Sequence, residues 1–80
     1  MTLQDFYALG LFEKIQAVQA GKLIAKRKTP QFYIYLYTLE DFYVEVLYSH
    51  LEHELKGFVP FRDMQRLDPY LQMISLPAIF

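Results

Sequence analysis

The sequence predicts an α+β fold, with an N-terminal helix, a three- to four-stranded antiparallel β-meander and a short C-terminal helix. Three observations carry this prediction. Apolar residues recur at helical spacing over positions 11–20. Aromatic and β-branched residues dominate positions 32–48, which is typical of strands. Finally, Asp68-Pro69 precedes another apolar segment, and proline at the first helical position favours a helix start.

Composition places the chain among small folded domains. It has 80 residues, of which 54% are hydrophobic and 21% charged, and its net charge is -1. An intrinsically disordered chain would instead combine low hydrophobicity with high net charge. We therefore expect residues 1–80 to form a single small domain.

The sequence also argues against several classes of protein. It contains no cysteine, so we expect neither a disulfide framework nor a thiolate metal site. The N-terminus lacks the basic and long apolar regions of a secretory signal. Its longest uncharged runs, 29–39 and 69–80, are shorter than the roughly 20 residues of a membrane span. We expect a soluble cytoplasmic protein with no cofactor and no membrane association.

The first 21 residues favour helix. Thr2 and Asp5 have the spacing of a capping box. Gly10 weakens any helix that runs through it, and the clearest amphipathic pattern follows it, over 11–20. One face of this helix carries Leu11, Phe12, Ile15 and Val18. Gly21 stands at the position of a C-cap glycine, so the helix is expected to end there.

Four segments after position 21 have the composition of strands. The predicted strands are 22–28, 32–39, 42–48 and 54–61. Thr29-Pro30-Gln31 and Glu40-Asp41 are the turn signals between the first three. Pro60 marks the last strand as an edge or a strand end, because proline cannot donate a ladder hydrogen bond.

A rival interpretation makes residues 39–55 a helix, with Thr38 and Gly57 at its two ends. Its apolar residues do recur at helical spacing. We favour strand for residues 42–48, where Phe, Tyr and Val dominate and strong helix formers are few. The pattern alone leaves residues 42–56 open between strand, helix and a junction of both.

Tyrosine alternates along the second predicted strand. Because alternate side chains of a strand point to opposite faces, the two faces carry Phe32, Ile34 and Leu36 on one side and Tyr33, Tyr35 and Tyr37 on the other. If Val44 and Val46 line the core, Tyr43 and Glu45 join the tyrosine side. Tyrosine combines a large apolar area with a polar tip, as interface centres do. We therefore hypothesise a partner-binding surface formed by Tyr33, Tyr35, Tyr37 and Tyr43. The alternative is that terminal segments, including Ile79-Phe80, cover this face.

Half of the basic residues lie within seven positions. They are Lys22, Lys26, Arg27 and Lys28. Together with Glu45 they form the hypothesised charged rim of the tyrosine surface. Beside a tyrosine-rich strand, this block also resembles a platform for single-stranded nucleic acid, where aromatic rings stack on bases and lysines contact phosphates. The alternative is that the lysines protect an edge strand against aggregation. With a net charge near zero, we do not expect a dedicated nucleic-acid binder.

Catalytic and metal-binding motifs are weak or absent. His50 and His53 are three residues apart but lack the H-E-x-x-H pattern of a zinc protease. Neither Ser49 nor Ser75 lies in a Gly-x-Ser-x-Gly elbow. We therefore expect no metal site and no enzymatic activity.

The order of the segments resembles that of short bacterial α+β proteins of uncharacterised function, in which one helix precedes an antiparallel meander. The segments that carry this resemblance are Gly21-Lys22-Leu23-Ile24-Ala25-Lys26-Arg27, Leu36-Tyr37, Phe42-Tyr43-Val44-Glu45-Val46 and Leu67-Asp68-Pro69-Tyr70-Leu71. The resemblance implies the meander and implies no activity and no site residue.

The sequence leads to one main functional hypothesis and one alternative. The first is a small non-enzymatic interaction module that forms a homodimer or binds a protein partner through the tyrosine side of its sheet. The alternative is a weak binder of single-stranded nucleic acid that uses the four basic residues and the strand tyrosines.

Overall fold

The computed structural model describes residues 1–74, with side chains as far as Leu71. The predicted apolar tail at 76–80 lies outside the described residues. In chain order the elements are α1 (Leu3–Tyr7), α2 (Leu11–Ala20), β1 (Lys22–Lys28), β2 (Phe32–Thr38), β3 (Tyr43–Ser49), β4 (Glu54–Phe61), a 3₁₀ turn at Met64–Leu67 and α3 (Asp68–Ile74). The strands form one antiparallel sheet in the order β1-β2-β3-β4, so the predicted α+β meander is confirmed. None of the helices in residues 1–74 is long and apolar enough to cross a membrane.

Two short hairpins connect the first three strands where the sequence predicts turns. The backbone N–H of Thr29 donates to the carbonyl oxygen of Phe32 at 2.8 Å, which closes the turn around Pro30. The N–H of Leu39 donates to the carbonyl oxygen of Phe42 at 2.9 Å in the same way. The predicted turns are therefore confirmed.

The central segment is strand, and the rival helix over 39–55 is wrong. Residues 43–49 pair with β2 on one side and with β4 on the other, so their backbone groups bond alternately to the two neighbouring strands. The chain then turns at residues 50–53, where His53 has a φ of 55°. The many aromatic and β-branched side chains of this segment suit a pleated surface better than a helix, and tertiary pairing decides the outcome.

The N-terminal region contains two helices, each with its own cap. The N–H of Asp5 donates to Thr2 Oγ1 at 3.1 Å, and the N–H of Thr2 donates to Asp5 Oδ2 at 3.0 Å. This is the predicted capping box. Gly10 separates the helices, and its N–H donates to Glu13 Oε1 at 2.9 Å at the start of α2.

The sheet lies between two helical layers. Helices α1 and α2 pack on the face that carries Tyr33, Tyr35 and Tyr37, which we call the tyrosine face. The core on this side contains Phe6, Val18, Phe42 and Val44. The 3₁₀ turn and α3 pack on the opposite face, where the core contains Leu36, Phe61, Leu67 and Tyr70. The small core is thus divided between the two faces of one sheet.

Helix α2 packs on the sheet with only part of its predicted apolar face. Val18 is buried and Ile15 is half-buried, whereas Leu11 and Phe12 are 57% and 78% exposed. Ala17 and Val18, in the second half of the helix, are the apolar residues of α2 that pack in the core around Phe6, and Lys14 Nζ lies 5.7 Å from the centre of the Phe6 ring. The helix itself is confirmed, and its predicted face is wrong for its first turn because that turn does not reach the core.

Gly21 is required by a close approach between α2 and β2. A Cβ atom at this position would lie 2.8 Å from the carbonyl oxygen of Thr38 and 3.1 Å from Leu39 Cδ1. The φ of Gly21 is -83°, so space and not backbone conformation requires glycine here.

We expect Gly21→Ala to lower the free energy of unfolding by about 1–3 kcal/mol, because the added methyl group must displace backbone. The matched control is Gly57→Ala in β4, where a Cβ atom meets nothing within 4 Å. Alanine is better than glycine in a strand by roughly 0.5–1 kcal/mol, so this control should be neutral or stabilising. Urea denaturation measures the free energy of unfolding of both variants. Equal losses of stability would contradict the close approach at Gly21.

A second pair of variants tests the core beneath the N-terminal helices. Phe6 is fully buried, with its ring 5.9 Å from that of Phe42 and 6.0 Å from that of Phe58. Phe6→Ala should cost about 3–5 kcal/mol in unfolding free energy. Phe12→Ala, at a residue 78% exposed, should change it by less than about 0.5 kcal/mol. Comparable losses in chemical denaturation would show that α1 and α2 pack differently.

Candidate binding surface

The register between β2 and β3 determines which side chains share the tyrosine face. Tyr35 lies opposite Val46, and Tyr37 lies opposite Val44. Directly opposed residues of an antiparallel pair point to the same side of the sheet. The two valines and the tyrosines therefore occupy one face.

Tyr43 and Glu45 lie on the other face, and the prediction that they join the tyrosine side is wrong. Tyr43 is opposite Thr38, and Glu45 is opposite Leu36. The prediction assumed that the valines of β3 face away from the tyrosines, and alternation within each strand cannot fix the register between two strands. The hypothesised surface thus keeps Tyr33, Tyr35 and Tyr37 and excludes Tyr43, whose ring stacks on Phe61 at 5.5 Å on the opposite side.

The N-terminal helices cover only one end of the tyrosine face. Tyr37 is half-buried and packs against the core around Phe6. At the other end Tyr33 is 38% exposed, and Tyr35 and Tyr48 are half-buried. The predicted alternative, in which terminal segments cover the face, therefore holds for the Tyr37 end through α1 and α2. Ile79-Phe80 lies outside the described residues.

Two of the predicted rim lysines flank the open end of the tyrosine face. Lys26 lies opposite Tyr35, and Lys28 lies opposite Tyr33. The Nζ atom of Lys28 is 5.5 Å from the centre of the Tyr33 ring, within the range of a cation–π contact. Both lysines are exposed, and neither forms an ion pair within the part of the chain that the structure describes.

The remaining rim residues belong to the opposite face. Lys22 lies opposite Thr38, and Arg27 lies opposite Ile34. The alternation of β1 thus divides the basic block of the sequence, and Lys26 and Lys28 are its two members that share a face with the tyrosines.

Two clefts meet at Tyr35. The first, which we call the apolar cleft, has a volume of about 210 Å³ and lies between α2 and the sheet. Its lining residues are Ile15, Val18, Gln19, Tyr35, Tyr37, Val46, Leu55 and Phe58. The second, which we call the basic cleft, has a volume of about 350 Å³ and is lined by Lys26, Arg27, Lys28, Tyr33 and Tyr35. Tyr35 therefore lines both the apolar cleft and the basic cleft.

A buried carboxylate anchors the C-terminal segment on the opposite face. Glu45 is 5% exposed, and its Oε2 accepts a hydrogen bond from Tyr70 Oη at 2.6 Å. Arg66 donates to Oε1 at 3.2 Å, and Arg27 approaches Oε2 at 3.4 Å. Burial, together with the hydrogen bond to Glu45, raises the pKa of Tyr70 to about 12. We call these four residues the Glu45 cluster; it joins β1, β3, the 3₁₀ turn and α3.

Sequence reasoning missed the Glu45 cluster because it assigned Glu45 to the charged rim. The available signal was an acid in the middle of an apolar strand. A carboxylate at a core position needs cations or hydroxyl donors near it, and Arg66 and Tyr70 follow in the C-terminal segment.

The two histidines do not converge. His50 Nε2 is 3.2 Å from the carbonyl oxygen of Thr29, and its ring centre is 4.9 Å from that of Tyr33. His53 is exposed in the β3–β4 turn. Among residues whose positions the structure describes, no group of three His, Asp or Glu side chains is placed to hold a metal ion.

No protein-family model, curated protein or solved structure significantly matches this chain. The resemblance to short bacterial α+β proteins therefore stays a prediction. Fold and surface define the class: a small α+β protein in which a four-stranded meander separates two helical layers. Its function has to be inferred from the surface around Tyr35.

Tyr70→Phe tests the Glu45 cluster. At neutral pH it should lower the free energy of unfolding by about 1–3 kcal/mol, because a buried carboxylate loses a donor. The folded-state pKa of Tyr70 is about 12, above the ordinary tyrosine value of 10.0, so between these two pH values the folded protein retains this proton while the unfolded chain releases it. The stability that the hydroxyl contributes is therefore complete below pH 10 and is lost as pH rises towards 12.

The measurement is urea denaturation from pH 7 upward, with Tyr7→Phe at an exposed tyrosine as the matched control. The stability difference between wild type and Tyr70→Phe should shrink through the alkaline window. A difference that stays constant with pH would contradict the raised pKa.

Proposed function

We propose that this protein is a non-enzymatic interaction module that binds an acidic segment of a partner protein at the open end of its tyrosine face. The observation that carries the proposal is the position of Tyr35, which lines both the apolar cleft and the basic cleft. An interface centre rich in tyrosine and apolar residues, with charged residues at its edge, is the usual anatomy of a protein–protein contact.

The chemistry of the clefts supports binding and gives little support to catalysis. Their linings, as far as the chain is described, contain no carboxylate, serine or histidine. General acid–base and nucleophilic catalysis most often use such groups, and the lysines and tyrosines of the basic cleft have no carboxylate or histidine beside them in its lining. Tyrosine rings and aliphatic side chains instead provide area for a partner's side chains.

Charge favours an acidic partner over a second copy of the chain. Lys26 and Lys28 carry positive charge that no carboxylate within residues 1–71 neutralises. A two-fold contact pairs a surface with itself, which would bring two basic rims together. Charge therefore favours the binding of a partner that supplies carboxylates over the formation of a homodimer.

Single-stranded nucleic acid is a second candidate ligand. One observation favours it: Lys26 and Lys28 share a face with Tyr33 and Tyr35, as on platforms that stack bases and contact phosphates. The apolar cleft beside Tyr35 suits aliphatic side chains better than bases, and two lysines give few phosphate contacts. These two features favour an acidic protein segment over single-stranded nucleic acid as the ligand.

We expect Tyr35→Ala to weaken binding of a fluorescein-labelled peptide of alternating Glu and Val at least tenfold. Truncating a central aromatic residue of an interface costs more than about 1.4 kcal/mol. The matched control is Tyr7→Ala in α1, a tyrosine 57% exposed and outside both clefts, which should bind like wild type. Fluorescence anisotropy gives the affinities, and circular dichroism confirms that both variants fold.

Three results would contradict the proposal. If the two tyrosine variants bind the peptide equally, the surface around Tyr35 is not the site. If an oligothymidylate of matched length binds more tightly than the peptide, the nucleic-acid candidate takes its place. If light scattering shows a stable dimer that Tyr35→Glu converts to monomer, the surface is used for self-association.

A further inference from the structure

The outer edge of β1 has no strand partner in the described part of the chain. β1 is a terminal strand of the sheet and pairs only with β2. Leu23 and Ile24, on this strand, are 46% and 42% exposed. Helix α3 approaches β1 from the opposite face, where the Tyr70 ring lies 5.3 Å from the guanidinium of Arg27, and so covers a face of β1 and not its edge.

We infer that this edge accepts an extended acidic segment of the partner protein as a fifth strand. The inference rests on the proposed function, because it specifies the form of the partner at the basic rim of the same surface. An exposed edge offers unpaired backbone N–H and C=O groups, and strand addition uses these groups for affinity while side chains supply specificity.

The side chains of β1 specify the charge pattern of the incoming strand. Residues directly opposite each other on neighbouring strands share a face and have Cβ atoms about 4.5–5.5 Å apart. Acidic residues at alternate positions of the segment would therefore lie opposite Lys26 and Lys28. The residue between them would lie opposite Arg27, whose guanidinium contacts Glu45 on the opposite face. The expected pattern is acid, uncharged residue, acid.

The same charges argue against a second copy of this chain at the edge. Edge-to-edge pairing of two β1 strands would bring Lys22, Lys26, Arg27 and Lys28 close to the same residues of the copy. Like charges on neighbouring strands destabilise the pairing, and lysines on an edge strand prevent self-pairing for this reason. A segment that carries carboxylates would instead be attracted to the basic residues of β1, and this attraction would favour its pairing with the edge.

The position of a β-bulge limits where the added strand can pair. The register of β1 with β2 shifts between Leu23 and Ala25, which leaves Ile24 as the extra residue. A bulge bends its strand and interrupts regular pairing. The regular part of the edge is therefore residues 25–28, which contains both lysines of the tyrosine face.

N-methylated peptides separate strand addition from general electrostatic attraction. Two versions of the alternating Glu and Val peptide carry N-methyl groups on every Glu or on every Val. Alternate N–H groups of a strand point to opposite edges, so one version loses the N–H groups that face β1 and the other loses only those that face solvent. Both keep the charge of the unmodified peptide.

We expect one N-methylated version to bind at least tenfold more weakly than the other, with the second close to the unmodified peptide. We also expect Lys26→Gln combined with Lys28→Gln to reduce affinity roughly tenfold and to flatten its dependence on salt. The charge-matched control is Arg62→Gln, combined with Lys14→Gln, at residues outside the edge. Fluorescence anisotropy at several salt concentrations measures the affinity of each peptide version and of each protein variant.

Equal affinities of the two N-methylated versions would overturn the inference. If Tyr35→Ala still weakens binding in that case, the proposed function stands and only strand addition is wrong. If wild type binds none of the peptides, both fail. Tighter binding of an oligothymidylate than of the unmodified peptide would also overturn the inference.

Discussion

The register between β2 and β3 is the constraint on which the rest of the structure depends. A slip of one residue would move every side chain of β3 to the other face of the sheet. Glu45 would then lie among apolar residues on the tyrosine face, far from its partners, and Val44 would leave the core around Phe6. Because a buried carboxylate without donors is very costly, the Glu45 cluster favours the observed register, as the apolar side chains of β3 do.

The division of the core explains why part of the tyrosine face is open. Each face of the sheet is covered by two short helical segments, and within the described residues these segments leave part of the tyrosine face exposed. Helices α1 and α2 reach the Tyr37 end, where Phe6 and Val18 fill the core. Tyr35 lies at the border of that cover and lines both clefts, whereas Tyr33 lies beyond it and lines the basic cleft alone. The candidate binding surface thus begins where the cover of α1 and α2 ends.

Most of the fold could be predicted from the sequence, and the pairing between elements could not. The period of α2, the capping box at Thr2 and the turn at Pro30 are local signals, and the predicted bounds of α2 and of the four strands lie within one residue of those observed. The side on which Glu45 lies depends on register, which is a property of two strands together. The exposure of Phe12 depends on where α2 crosses the sheet. Such features arise from tertiary packing, and periodicity along one strand carries no information about them.

For the candidate surface, the sequence supplied the residue types but not their grouping. Tyr33, Tyr35, Lys26 and Lys28 were identified together with Tyr43, Arg27 and Glu45, and the sheet separates these into two sets. The first set shares the tyrosine face. Of the second, Arg27 and Glu45 join Arg66 and Tyr70 in the opposite layer.

The meander topology also has a consequence for how the chain folds. Every strand pairs with its neighbour in sequence, so the sheet contains short-range contacts that close small loops and form rapidly. The contacts of the Glu45 cluster differ, because Arg66 and Tyr70 are 21 and 25 residues from Glu45 in the sequence. Closing these longer loops costs more chain entropy than closing a hairpin turn, and that cost falls on the docking of the C-terminal segment.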